Sequence, residues 1–419
     1  MTQVSGKRYT QHREHPEVRF AEKVETAYDI ILDVALEDLE KDPYPFYKWV
    51  RDVCPVAYVP ATGRVWVATW ELCKEAGSHD AIFGPTKEAF EIVYGCPNVM
   101  SMTGSAHLAL RNATAAPFRP KAVQSYREKG IREVAVRYIE SIRSKGAADL
   151  TTELTEPISM RAVGDVLGFT DLDDATLRRW FYAYAELFVD YGRNPAVAER
   201  GREAKAEVAD YLEKRILSII GNPDGSALYR LFHDGMPEGQ RRSLSDVLPT
   251  VGVLIVGGFQ EPAHAISNAV LGLFTRPEQT ARVAGEPAKW SRPTIEEGLR
   301  WISPFGMGEK LTTADFILGG VKIPANTEVA LVIGSANRDP KRFAHPEEFD
   351  LDRPDQGNLS FGFGSHFCIG HTVARAIGEI TVEEMFRRLP NLRPAPDRKP
   401  VVRGWTTRAA KCLPVVWDV

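Results

Sequence analysis

Cysteine is scarce in this sequence. Five residues, Cys54, Cys73, Cys96, Cys368 and Cys412, lie far apart, without the close pairs on which zinc and iron–sulfur sites rely. This odd, dispersed set excludes a disulfide framework, and any metal must take one protein thiolate and draw its other ligands from elsewhere. Long apolar runs are missing too: the most hydrophobic, Val251 to Phe259, falls far short of the ~20 residues a membrane span needs. The opening MTQVSGKRYTQHREHPEVRF is polar where a signal peptide would be apolar, so the expectation is a cytoplasmic protein without membrane contact. No charge of one sign dominates, since the formal net charge is -4 over 419 residues, which gives no reason to expect nucleic acid as a partner. Repeats, low-complexity tracts and Gly/Ser-rich linkers are absent, which predicts a single domain over 31–419 behind a polar extension, 1–30.

What is present reads as mainly α with small β-sheets. DPYPFYKWVRD opens a helix with Asp42 as N-cap and Pro43 at N1. VAYVP and RVWVAT, separated by Ala61-Thr62-Gly63, read as a hairpin. Helical periodicity then runs from about 105 to 300, over His107 to Ala116, Tyr126 to Lys145, Ala175 to Tyr191, Ala196 to Ile220 and Asp246 to Phe274. FILGGVKIP and EVALVIGS form a second β-rich patch, and a last helix is predicted from about Ile369 to Arg388. Alternating βαβ units are absent.

One string carries chemistry. Phe361-Gly-Phe-Gly-Ser-His366-Phe-Cys368-Ile-Gly370 is a glycine-rich loop running into a helix with Arg375 and Glu379. Glycine lets a backbone pass close under a flat ligand, and a helix N-terminus stabilises a thiolate. The string resembles the heme-binding loop of the cytochrome P450 family at each defining position. That resemblance implies a single-domain P450 fold, heme b held by Cys368 as axial ligand, and Phe361 and Gly370 among the residues around the cofactor. It also gives meaning to pairs that alone would be common surface features. Glu297 and Arg300, at i and i+3, resemble with Arg353 the family's structural Glu-Arg-Arg triad. His107 and Arg111, one turn apart, resemble its propionate-binding helix, with His366 as a third contact and Lys310 where an arginine usually stands. The fold consumes the chain, so electrons are expected from a separate NAD(P)H-dependent flavin and iron–sulfur reductase, with O2 as co-substrate.

The oxygen-side helix departs from the family pattern. Most members carry Ala/Gly-Gly-x-Asp/Glu-Thr there, whereas this chain reads Gly257-Gly258-Phe259-Gln260-Glu261-Pro262. The two glycines are expected to thin the helix for O2. Gln260 replaces the acid and Glu261 the alcohol, while Pro262 removes an amide hydrogen and distorts the helix. Since acid and alcohol normally organise water that delivers protons, Glu261 reads as a rearranged relay, against the plainer reading of an incidental charge at a kink.

QEPAH, PYPFYKWVR, HDGMP, EGLRWISP, GSAN, RRWF and the terminal PVVWDV resemble the bacterial guaiacol O-demethylases within that family. The likeness implies a small methoxyarene substrate under a ring of phenylalanines, of which Phe181 is retained, Tyr94 stands for a second and Thr407 replaces a third. Val253 and Gly257, one turn apart, would floor the cavity. Phe305, Gly306, Met307 and Gly308 diverge from that pattern, and Phe305 and Met307 complete the expected pocket. Two other readings stay open: a C–H hydroxylase or peroxygenase on another small hydrophobe, and a non-enzymatic heme-thiolate sensor.

Overall fold

The computed structural model describes residues 17–21, 23–189, 194–220, 223–354 and 357–419. Their backbone separates into two compact units. The first takes the chain up to Thr86, His264–Cys368 and Arg393–Pro414; the second takes Lys87–Ala263, Ile369–Leu392 and Val415–Val419. Because these stretches interleave, no single cut in the sequence would release either unit.

The first unit is organised by a seven-stranded sheet. Its centre is the expected hairpin, Val56–Val59 paired antiparallel with Arg64–Val67, in a register that sets Val56 opposite Val67. Glu328–Leu331 joins Arg64–Val67 in parallel, followed by Gly308–Thr312 and the short Phe83–Gly84. Beyond the other edge lie Ile30–Asp33 and then Glu17–Phe20, so a strand of the sheet falls inside the stretch expected to be a polar extension. Both faces are covered. Side chains alternate along a strand, so Trp66 and Ala330 enter one core with Tyr47, Met307 and Trp405. Val65, Val67, Val329 and Leu331 enter the other with Phe83 and Phe343.

The helix Tyr44–Val53 starts one residue later than predicted, with Pro43 at the N-cap. Asp42 still contributes, because its Oδ1 accepts the Tyr44 amide at 3.2 Å. The predicted charge triad is present and buried in this unit. Arg300 grips Glu297 with two bonds of 2.7 Å, and Arg353 Nε donates to the same carboxylate at 3.2 Å. Arg300 also donates to the carbonyls of Asn337, Pro346 and Glu348, which ties the helix Pro287–Trp301 to the chain ahead of the Cys loop.

The second unit is helical. Gly104–Ala115, Glu156–Leu167, Asp174–Val189, Pro195–Ile220, Leu244–Phe259 and His371–Arg388 are its longer members. Tyr191, expected at the end of one of them, lies outside the described residues. The helix predicted over Tyr126 to Lys145 is subdivided: Pro120–Tyr126, a wider π-type stretch Arg127–Arg132, then Glu133–Arg143. Arg132 pairs with Glu383 and Glu384 of His371–Arg388, a tertiary constraint that local periodicity does not register.

The long helix expected from Asp246 to Phe274 is two helices. Leu244–Phe259 starts with a capping box of Ser243 and Asp246, Gln260 interrupts, and Glu261–Phe274 follows. Pro262 has no amide hydrogen for the carbonyl four residues back, that of Gly258. Ser159 Oγ lies 3.5 Å from that oxygen, a long contact that supplies the donor the proline lacks. The two glycines also differ in role. A Cβ on Gly258 would lie 2.7 Å from Val163 Cγ1, so Gly258 permits close packing on Glu156–Leu167. A Cβ on Gly257 would meet nothing within 4 Å, and Gly257 is exposed on an otherwise apolar helix. Only Gly257, then, fits the thinning role expected of both. Gly258→Ala should cost about 1–3 kcal/mol by overpacking. Gly257→Ala should leave stability equal or raised by up to ~1 kcal/mol through helix propensity. Thermal unfolding of the two variants side by side checks the assignment, and equal losses would refute it.

Candidate functional site

The five cysteines are distinguished by their surroundings. Cys54 and Cys73 are buried in the first unit, where desolvation pushes the Cys54 thiol up to about 12 and the Cys73 thiol well above its ordinary value. Both are packing residues kept as thiols. Cys368, half-buried, ends a loop that folds back on itself: its amide donates to the Phe361 carbonyl at 2.8 Å. Gly362 and Gly364 make the turn possible, with φ of 73° and 59°. The following helix begins at His371 with Gly370 at its N-cap, two residues later than expected.

A residue with no local signal in the sequence anchors this loop. Asp80 Oδ2 accepts the Ser365 amide at 2.8 Å. A Cβ on Gly364 would fall 2.8 Å from the same carboxylate, so only glycine allows the approach. Gly77, in the helix Trp70–Ser78, likewise admits the ring of Phe363, which would lie 2.5 Å from a Cβ there. Burial alone would raise the Asp80 carboxyl; the Ser365 amide and hydroxyl, with Lys310 and His366, outweigh it and hold Asp80 below the ordinary carboxylate value. Lys310, on the strand Gly308–Thr312, is nine-tenths buried and 3.8 Å from Asp80. Burial lowers its ammonium and Asp80 opposes the fall. Lys310, His366 and Cys368 are therefore neighbours of one carboxylate or of one loop in the first unit. Phe305 and Thr407 are brought together there as well, by an isolated antiparallel bridge. Gly306 is required beside them, because a Cβ would lie 2.2 Å from the Trp405 carbonyl oxygen. Met307, expected in the substrate pocket, is instead claimed by the core of Tyr47, Trp66 and Trp405. Its side chain is 3% exposed, so packing, not substrate contact, explains it.

The second unit carries the other predicted residues. His107 is buried and Arg111 half-buried on the helix Gly104–Ala115. Val253, Gly257 and Glu261 recur at intervals of four, and all three keep exposed surface while Val251, Ile255, Val256 and Phe259 are buried. Gln260 is half-buried at the interruption. Phe181 is 2% exposed and packs on Phe259 with ring centroids 6.3 Å apart. Tyr184 and Phe188, further along the same helix, belong to a separate stack with Phe90 and Tyr94, at centroid spacings of 6.4 Å. Tyr94 closes the helix Lys87–Tyr94, whose end is fixed by Gly95 at φ 89° and by Lys205 Nζ donating to the Ile92 carbonyl at 3.2 Å. Desolvation raises the Tyr94 phenol, and the negative charge of Glu261 raises it further.

The donor set fits a heme. Among the described residues, no three or more His, Cys, Asp or Glu side chains are grouped to hold a metal ion. An iron joined to Cys368 thus needs a ligand frame of its own, as a porphyrin provides. In the first unit His366 and Lys310, and in the second unit His107 and Arg111, are each side chains of the positive or hydrogen-bonding kind that a propionate takes.

Comparison with known proteins agrees with the geometry. Residues 291–402 match the family described as Cytochrome P450. The cytochrome P450 monooxygenase PikC of Streptomyces venezuelae is 29% identical over 411 residues, covering 94% of this chain and 95% of that protein. The 6-deoxyerythronolide B hydroxylase of Saccharopolyspora erythraea is 27% identical, covering 92% and 98%. The ligand-free structure of cytochrome P450 TbtJ1 superposes with a TM-score of 0.81 at 27% identity, over 91% of this chain and 99% of that one. P450BioI, solved in complex with a fatty-acyl carrier protein, gives 0.82 at 23% identity, over 91% and 100%, and shows the fold alone. No helix of the described residues is long and apolar enough to cross a membrane. Loop, triad, fold and relatives together show the cytochrome P450 fold and a similarity to the cytochrome P450 monooxygenases, an enzyme family that uses heme b.

Proposed function

We propose that this P450 removes the methyl group from a small neutral methoxyarene of the guaiacol type. Cys368 serves as the thiolate ligand, with His107, Arg111, Lys310 and His366 at the propionates. The heme, when bound, supplies the iron at which O2 is activated. One oxygen atom enters the O–CH3 carbon and the other leaves as water, with two electrons from NADH passed on by a separate flavin and iron–sulfur reductase. The resulting hemiacetal collapses to formaldehyde and the phenol.

The observation that carries this reading is the interrupted helix. Gln260 breaks it, Glu261 opens the next segment and acts electrostatically on Tyr94, and the Val253–Gly257 face remains open one turn earlier. A carboxylate there disfavours acidic substrates and leaves a neutral ring as the natural occupant. Aromatic side chains surround the helix in the second unit: Phe181 on Phe259, and Tyr94 with Tyr184 over Gly252. Such flat, rigid surfaces suit a ring by shape and quadrupole contacts. Glu261, in the place of the family's alcohol, holds and passes a proton during oxygen activation. C–H hydroxylation is the second reading, favoured by relatives whose names describe hydroxylases.

Three measurements test the proposal. With NADH and a flavin and iron–sulfur reductase, guaiacols should yield one formaldehyde per substrate consumed, and Phe181→Ala should weaken binding by roughly 1–3 kcal/mol through lost apolar contact. A guaiacol panel giving neither a spectral shift nor formaldehyde, while other hydrophobes are hydroxylated, would leave the second reading in its place. Cys368→Ser should abolish the strongly red-shifted Soret band of the reduced, CO-bound protein, since that band requires sulfur donation; an unchanged band would refute the ligand. Glu261→Gln should retain the substrate-binding spectrum but divert NADH into hydrogen peroxide, because a relay acts after substrate binds. Coupling at the wild-type level would reduce Glu261 to a structural residue at the break.

A further inference from the structure

Tyrosines 94 and 184 are 6% and 1% exposed, and their rings are stacked 18° from parallel with centroids 6.4 Å apart. Burying a phenol is ordinary only when its hydroxyl is bonded, because an unpaired buried donor costs about 1–3 kcal/mol. Comparable tyrosines of this chain obey the rule: Tyr126 donates to the Pro117 carbonyl at 2.7 Å, Tyr182 to Glu156 at 2.9 Å and Tyr211 to Asp171 at 2.6 Å. Among the described residues neither Tyr94 nor Tyr184 has such a partner, and neither oxygen is among the fully enclosed ones. Each hydroxyl oxygen therefore keeps some accessible surface, and so some space beside it, although its residue is buried.

Their location narrows what that space is for. A Cβ on Gly252 would lie 2.9 Å from Tyr184 Cε1 and 3.5 Å from Cζ, the atom that bears the hydroxyl, and 3.3 Å from Tyr94 Cδ1. The phenol edges therefore rest on the helix Leu244–Phe259 one residue before Val253, whose exposed face continues through Gly257 to Glu261. Glu261 and Tyr184 both act electrostatically on the Tyr94 hydroxyl. Two phenylalanines would fill the same volume without an unsatisfied donor.

We propose that Tyr94 and Tyr184 form a hydrogen-bond donor pair for an uncharged acceptor oxygen on the substrate, distinct from the oxygen that loses its methyl group. The ligand class is a neutral oxygenated arene carrying a hydroxyl, second methoxy or carbonyl group. Anions are excluded by Glu261, and plain hydrocarbons leave both donors unmet. The inference deepens the demethylase reading and rests on it for the nature of the ring, but not for the donors themselves.

Two matched ligand pairs, titrated into the heme-loaded protein by its absorption shift, test the pair. One is guaiacol against 2-methylanisole, the other acetophenone against α-methylstyrene; each replaces an oxygen function by a carbon group of similar shape. Wild type should prefer the oxygenated member by roughly two- to tenfold, the worth of one hydrogen bond. Tyr94→Phe and Tyr184→Phe should each reduce that preference and the double variant erase it, with affinity for the carbon member unchanged. A preference that survives the double variant, or none in wild type, overturns the proposal. Methoxyarenes that bind and are demethylated without preference leave the demethylase reading standing and remove this one. If the acetophenone pair shows the tyrosine-dependent preference while guaiacols neither bind nor release formaldehyde, the donor pair stands and the demethylase reading falls. Ligand-free unfolding adds an arm independent of substrate: Tyr→Phe at an unmet donor should hold or raise the midpoint, whereas a clear drop at both positions would show hydroxyls already satisfied by the protein and would refute the pair.

Discussion

The Cys loop depends on one carboxylate. A short loop rich in glycine cannot fix its own conformation, since glycine gives up more backbone entropy on folding than any other residue. Asp80 compensates by accepting the Ser365 amide, and the missing side chain at Gly364 is what lets it come so near. Gly77 then admits Phe363 from the other side. The position of the Cys368 sulfur therefore rests on a residue almost three hundred positions earlier in the chain, and on two absent side chains.

That contact has an electrostatic consequence. Asp80 also holds Lys310 and feels His366, so a carboxylate sits among the side chains assigned to the propionates. That carboxylate opposes the fall that burial causes in the Lys310 ammonium. Lys310, which stands where the resembled family usually has an arginine, offers a compact ammonium with a counter-ion 3.8 Å away at Asp80. Lysine binds as a point charge and not as a planar fork, so it accepts a partner from several directions.

The oxygen-side helix shows how one substitution forces others. Pro262 removes a donor, the Gly258 carbonyl is left for Ser159, and the helix restarts at Glu261. Gly258 must then stay small for Val163, while Gly252 stays small for two tyrosines. Three of the helix's small positions thus have three different neighbours: packed protein, aromatic edges and, at Gly257, open space. A departure from the usual acid and alcohol pair is accommodated by packing around it.

By itself the sequence determined the class of the fold and singled out Cys368 as the candidate metal ligand, because both are written in short-range signals. Alternation marked the strands around Trp66, 3.6-residue periodicity marked the helices, and the loop ending at Cys368 needs its glycines at fixed offsets. Its errors lie where distant residues compete. The helix expected to run from Asp246 to Phe274 is two, the one expected over Tyr126 to Lys145 is subdivided, and Met307 is drawn into a core with Trp66 and Trp405. Asp80 and the two phenol hydroxyls were invisible for the same reason: an aspartate or a tyrosine looks alike in sequence whether or not it has a partner. Only tertiary structure decided which donors were met and which were left open, since burial and hydrogen bonding are properties of neighbours, and neighbours are set by the fold.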